Sequence, residues 1–196
     1  MSNITTSDVD LVGDETTLNI ARAALFAALM GAFAFVSFNV PGTPVSATLQ
    51  VLAVFLAGIF LGPIWGGAAM MLYLAAGAVG APVFEGASGG IGILLGGSPS
   101  FGYLWAFPVA AVLIGYLVHG GSELRTPSEI PVVRLVVGMA AGTVVIYGIG
   151  VVGLMFVTDV SLETAVITGA AYFVPAELLE IVAAVLIVQS DAIRAE

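Results

Sequence analysis

Along this chain, polar and charged residues fall in short clusters that separate long uncharged apolar runs. Runs of roughly 17 to 25 residues are what an α-helix needs to cross the hydrocarbon core of a bilayer. The breaks between them predict six spans. The first runs from about Ile20 to Phe38 and is broken by Asn39-Val40-Pro41-Gly42, because proline cannot continue a helix and glycine suits the turn. The second, about Ala47 to Leu61, is closed by Gly62-Pro63, and the third runs from Trp65 to about Ala81. The fourth, about Phe101 to Val118, ends at His119-Gly120-Gly121; the fifth runs from about Val132 to Val157, and the sixth from about Thr164 to Val188.

Between the third and fourth spans lies a Gly- and Ser-rich stretch, Val83 to Pro99, whose one continuous apolar piece, Ile91 to Leu95, is too short to cross. Irregular backbone at membrane depth is tolerated only when buried in protein or lining a cavity, since its N–H and C=O groups otherwise lack partners. This outer loop is therefore a site candidate on physical grounds. The expected fold is an all-α membrane protein, a six-transmembrane-helix bundle over 18–190 with a Gly-rich outer loop between the third and fourth helices. Residues 1–17 are expected to form a disordered acidic cytoplasmic tail, and 191–196 a second short tail.

Composition agrees with the pattern: 60% of the 196 residues are hydrophobic and 9% charged, and the mean hydropathy is +1.14. Charge adds more. The net charge is −9, from 13 acidic residues against four arginines, so exposed surfaces repel nucleic acid and anionic headgroups. An acidic, lysine-free exterior suits a salt-rich cytoplasm and points to a halophilic source. Arg22, Arg125, Arg134 and Arg194 all fall on the side of the termini in a six-span arrangement, which makes that side cytoplasmic. The acidic start of the chain is wrong for the n-region of a signal peptide. There is no cysteine, and so no disulfide or thiolate chemistry.

Familiar motifs fail on context. Gly148 to Gly153 reads GxGxxG, yet it lies in mid-span without the strand and helix that a dinucleotide site requires. A P-loop needs a lysine, which is absent, so uphill movement of a solute would draw on an ion gradient or a partner. His119, the single histidine, sits at a helix end, where it complements the macrodipole. No zinc or serine-histidine constellation can be assembled, and neither an enzyme nor a cofactor is expected.

Glu177 and Glu180 carry the strongest chemical signal. They lie in an apolar helix just after Pro175, where each charge near the bilayer centre costs about 2.5 to 3.5 kcal/mol or more. Three residues apart, they share one helix face. With no lysine in the chain and every arginine at the cytoplasmic end, their partners are polar residues of other helices, a proton, or a ligand. Glu85, at the start of the Gly-rich loop, reads more readily as a solvated carboxylate. Gln50, Tyr73 and Tyr103 are either ligand contacts or interhelical bonds. Small residues recur at four-residue spacing in Ala23, Ala27, Gly31, in Gly58, Gly62, Gly66 and in Gly138, Gly142, rows that let helix backbones approach. The first of these is the best candidate for a surface that meets another subunit, although packing within this bundle accounts for any one row.

Taken together, Pro44 to Gln50, Leu61-Gly62-Pro63, Tyr73-Leu74 with Gly77, Gly80, Pro82, Val83 and Phe84, the Gly89-Gly90 loop, and Ser98-Pro99-Ser100-Phe101-Gly102-Tyr103-Leu104 resemble the BioY family. Its members are biotin-specific S components of energy-coupling-factor (ECF) transporters. The resemblance implies a six-helix bundle that binds biotin from outside, with Gln50, Tyr73, Phe84, Gly89, Gly90, Ser98, Ser100, Tyr103, Glu177 and Glu180 as substrate-binding candidates. It also implies a separate transmembrane coupling protein and two cytoplasmic ATPase subunits as partners, met in part by Ala23, Ala27 and Gly31. One departure stands out: the family typically carries Asp-x-x-Lys where this chain has Glu177 and Glu180. Two other readings remain open, a proton-coupled or other-vitamin transporter using these glutamates, and a non-transporting structural membrane protein.

Overall fold

In a computed structural model, which describes residues 13–190, the chain forms α1 (Asp14–Ala34), β1 (Ser37–Phe38), β2 (Ala47–Thr48), α2 (Gln50–Ala78), α3 (Phe101–His119), α4 (Val132–Thr158), α5 (Leu162–Gly169) and α6 (Val174–Val188). Residues 1–12 of the first expected tail and all of the second, 191–196, lie outside the described residues, while Asp14 to Thr17 open α1. Among the described residues, five segments are long and apolar enough to cross a membrane: α1, α2, α3, α4 and the continuous stretch Leu162–Val188.

The sixth crossing is hidden inside α2. Gly62 adopts φ 71°, ψ −172°, outside the helical region, and the chain doubles back there. Gln50 and Tyr73 are hydrogen-bonded at 2.7 Å, whereas in a straight helix 23 residues would span about 35 Å. A Cβ at Gly66 would lie 2.9 Å from the Ala57 carbonyl oxygen. Segment α2 is thus a helical hairpin with arms 50–61 and 63–78, and the expected six-helix bundle results. Left-handed φ at Gly62 is open to glycine without the Cβ penalty. Pro63 then starts the return arm and has no N–H for the Ile59 carbonyl. His119 supplies it: Nε2 lies 2.9 Å from the Ile59 oxygen, and Nδ1 accepts the Arg125 N–H at 3.0 Å. His119 therefore does more than cap α3, since it also fastens the hairpin turn.

The two α2 arms and α3 form the centre of the bundle, with α1 packed on α2, α4 on α3, and α6 reaching α2 and α4. The first span is shorter than expected at its outer end. After Ala34 the chain leaves the helix and pairs Ser37 with Thr48 and Phe38 with Ala47 across the Pro41-Gly42 turn. The last span is broken: Ala170 has φ −135°, ψ −58°, and Pro175 falls in the first turn of α6, where a missing N–H costs nothing.

Ala23, Ala27 and Gly31 are buried within this chain, Gly31 against the Val83 side chain. In this chain the row packs internally, where small residues let α1 approach its neighbours closely. The α1 residues that remain exposed include Leu18, Ile20 and Leu25 and also Ala21, Ala24, Ala28 and Ala32.

Candidate functional site

At the end of the bundle opposite Arg125 and Arg134, a cavity opens between the 45–48 segment, the starts of α2 and α3, the middle of α4 and the first turns of α6; with its open mouth included it spans about 610 Å³ of empty space. Its floor is set by α6. Because Pro175 starts the helix, Glu177 and Glu180 project from its first two turns, 5% and 7% exposed. The N-terminal end of a helix favours negative charge. Each oxygen of Glu177 has one partner and capacity for another: Oε2 accepts the Tyr147 hydroxyl at 2.8 Å and Oε1 accepts the Thr143 hydroxyl at 3.2 Å. Glu180 differs, since its Oε2 is buried without a hydrogen-bond partner. Buried polar atoms are almost always paired in native proteins, so an orphan facing a cavity marks a position that a ligand completes.

An aromatic box stands beside the two acids. Tyr147 stacks on Phe173 at 6.3 Å and 18°, and Tyr103 meets Tyr147 edge-on at 6.3 Å. Tyr103 is held by its hydroxyl, which donates to the Gly169 carbonyl at 2.7 Å. That carbonyl is released by the break before α6, where Phe173 N–H bonds to Ala170 instead. Gly150 lies under the Tyr103 ring and Gly153 against Gly102, which accounts for two glycines of the GxGxxG run as helix packing, while nothing lies within 4 Å of a Cβ at Gly148.

Opposite the acids, Gln50 is buried, its Oε1 accepting from Thr48 Oγ1 at 3.0 Å and its amide donating to Tyr73 at 2.7 Å. At the outer end, Glu85 bridges two segments. Its Oε1 accepts the Ser46 N–H at 2.8 Å, and its Oε2 accepts the Ser100 hydroxyl at 2.7 Å. A second, smaller cavity shares Glu85, Ser100 and Leu104 with the first and adds Phe84, Ser88 and Ser98; with its open side included it spans about 410 Å³.

Of the residues singled out from sequence, Gln50, Ser100, Tyr103, Glu177 and Glu180 line the main cavity. Ser98 and Phe84 line the adjoining one. Tyr73 stands behind Gln50 and packs edge-on against Phe84 at 5.4 Å, so it supports the wall without lining either cavity. Gly89 and Gly90 line neither. They clamp the loop to the end of α2, Gly90 N–H donating to the Gly77 carbonyl at 2.7 Å and Gly89 leaving no room for a Cβ beside the Ala81 carbonyl. The solvated reading of Glu85 is corrected: it is half-buried, and its two hydrogen bonds at the cavity mouth tie the loop in place. Sequence reasoning also passed over Thr143, Tyr147 and Phe173. Thr143 and Tyr147 were visible as two hydroxyls four residues apart on one face of an apolar span.

The chain matches the model of the BioY family over residues 4–195. It is 35% identical to "Probable biotin transporter BioY" of Pyrococcus horikoshii, over 87% of this chain and 93% of the relative. It is 34% identical to "Biotin transporter BioY" of Rhodobacter capsulatus, over 89% and 93%. Its fold is similar to the crystal structure of an S-component for biotin from an ECF-type ABC transporter, with TM-score 0.80, 23% identity, and 94% and 95% of the two chains covered. The aromatic box, the paired acids and the Ser98 to Leu104 block are thus elements of a chain that belongs to the BioY family.

Proposed function

We propose that this chain takes up biotin as the membrane-embedded, substrate-binding S component of an ECF transporter, energised by a separate transmembrane coupling protein and two ATPase subunits. The observation that carries this reading is the cavity itself: an aromatic box beside two buried carboxylates, one with an orphaned oxygen. Biotin's fused rings are apolar on their faces and polar at the ureido edge, which carries two N–H donors and one carbonyl. Glu177 accepts a ureido N–H. Glu180, protonated, donates to the ureido carbonyl in the place where the family typically has lysine. Tyr147 and Phe173 cover the ring faces, and the tail runs outward past Ser100.

The protein sits in the plasma membrane with both termini cytoplasmic. The described arginines support this orientation, since Arg125 and Arg134 bind the C-terminal end of α3 and Arg22 lies in the first half of α1, all at the bundle end away from the cavity. The deciding experiment is retention of labelled biotin by the purified full chain, expected at nanomolar concentration. No retention overturns the reading. Uptake by this chain in cells lacking any coupling protein, abolished by an uncoupler, would instead favour proton coupling through Glu177 and Glu180.

A further inference from the structure

Four arginines serve a chain of net charge −9, and two of them converge. A Cβ at Gly120, where α3 ends, would collide with a terminal nitrogen of Arg134 and lie 3.4 Å from one of Arg125. The two guanidinium groups are thus neighbours, and like charges so placed repel unless an anion lies between them. Arg134 spends one of its five donors on the Leu117 carbonyl at 2.8 Å. Among the described residues, the Arg134 side chain makes no other hydrogen bond, the Arg125 side chain makes none, and neither forms an ion pair. A guanidinium presents its donors in a planar fork that fits phosphate oxygens.

An apolar groove leads to this pair. It lies between the return arm of α2 and α3, lined by Pro63, Ile64, Gly67, Pro108, Val109 and Val112, and with its open side included it spans about 790 Å³. Ile64, Val109 and Val112 are exposed, and on α3 the exposed stripe continues at helical spacing through Tyr116 to Gly120. Pro108 to Gly120 covers about 18 Å of helix, close to the depth of one leaflet, half of a hydrocarbon core about 30 Å thick. The loop after α3 ties the end of the groove to the arginines: the Leu124 side chain lies over Gly62, next to Pro63, and Arg125 follows it. Elsewhere the acidic surface repels anionic head groups; the end of α3 is the exception.

We propose that this end of the bundle binds one anionic phospholipid, its phosphate held by Arg125 and Arg134 and one acyl chain laid in the groove between α2 and α3. Arg125 N–H is also the partner of His119, which fastens the α2 hairpin turn. The bound lipid therefore clamps the loop after α3 onto that turn. The site lies at the opposite end of the bundle from the cavity and does not depend on the biotin reading.

The test is lipid binding to the detergent-purified full chain, followed by native mass spectrometry against concentration, for phosphatidylglycerol and phosphatidylcholine with the same acyl chains. The wild type is expected to hold phosphatidylglycerol at least about tenfold more tightly, since each arginine near an anionic head group contributes about a factor of five. Arg125→Gln, which keeps the backbone N–H that His119 accepts, is expected to narrow that ratio by about fivefold. Val109→Trp, which fills the groove, is expected to weaken both lipids severalfold and keep the ratio. Equal binding of the two lipids by the wild type, an unchanged ratio in Arg125→Gln, or unweakened binding in Val109→Trp overturns the proposal. Glycerol phosphate, a head-group phosphate without chains, is expected not to displace phosphatidylglycerol at equal concentration; displacement would make this a site for a free anion and overturn the lipid assignment. Should Arg125→Gln fail to fold, the wild-type ratio and Val109→Trp decide.

Discussion

Glu180 shows how much one atom can carry. Its neighbour one helical turn earlier, Glu177, has one partner from α4 on each oxygen, whereas Glu180 Oε2 has no partner. If Glu180 donates to the ureido carbonyl, an amide at this position keeps a donor and leucine does not. Leaving a buried acceptor unpaired costs about 1 to 3 kcal/mol, and tenfold in affinity is about 1.4 kcal/mol. Glu180→Gln is therefore expected to hold biotin within about tenfold of the wild type, while Glu180→Leu weakens it by about a hundredfold. Equal losses in the two variants, measured by equilibrium binding, would remove the donor role. The residue was conspicuous from sequence because of the cost of its charge. Its missing partner was invisible there, since that depends on which face of α4 arrives beside it.

At the scale of elements, the α2 hairpin organises the bundle. Its turn holds because three features meet: left-handed Gly62, Pro63 without an N–H, and His119 taking the Ile59 carbonyl. Gly115 of α3 lies directly against the backbone of Gly62 and Pro63, with no room for a Cβ. Gly115→Ala is expected to destabilise the purified protein by about 1 to 3 kcal/mol, as overpacking of a close contact does. Gly148→Ala is the control: nothing lies within 4 Å of its Cβ position, and in mid-helix alanine gains about 0.5 to 1 kcal/mol over glycine. Thermal unfolding in detergent separates them. If Gly115→Ala melted at or above the wild type, the hairpin packing described here would be wrong.

For the whole molecule, the relevant quantity is the distribution of charge. A net charge of −9 with four arginines leaves acidic surfaces facing acidic surfaces outside the bilayer, and such self-repulsion destabilises a compact state. Salt screens it, the Debye length falling from about 10 Å at 0.1 M to about 3 Å at 1 M. The unfolding temperature of the full chain in neutral detergent is expected to rise with KCl between about 0.1 and 1 M, and to keep the gain in NaCl. A flat or falling profile would count against the halophilic origin inferred from composition.

Class, span positions and the two acids were legible in the chain because they depend on length, apolar runs and the cost of a charge in hydrocarbon, all of them local quantities. Pro41 and Gly62-Pro63 likewise announced breaks, since proline's missing N–H acts wherever it stands, whereas Pro175 falls inside what the pattern predicts as one unbroken span. What each proline does was decided by three-dimensional packing. Gly62-Pro63 makes a hairpin, the Pro41 turn makes a small β-ribbon, and Pro175 starts a helix that aims Glu177 and Glu180 at the cavity. The role of Glu85 follows the same rule: its partners Ser46 and Ser100 lie 39 and 15 residues away. No periodicity records a contact of that separation, because it exists only once the loop has closed over the bundle.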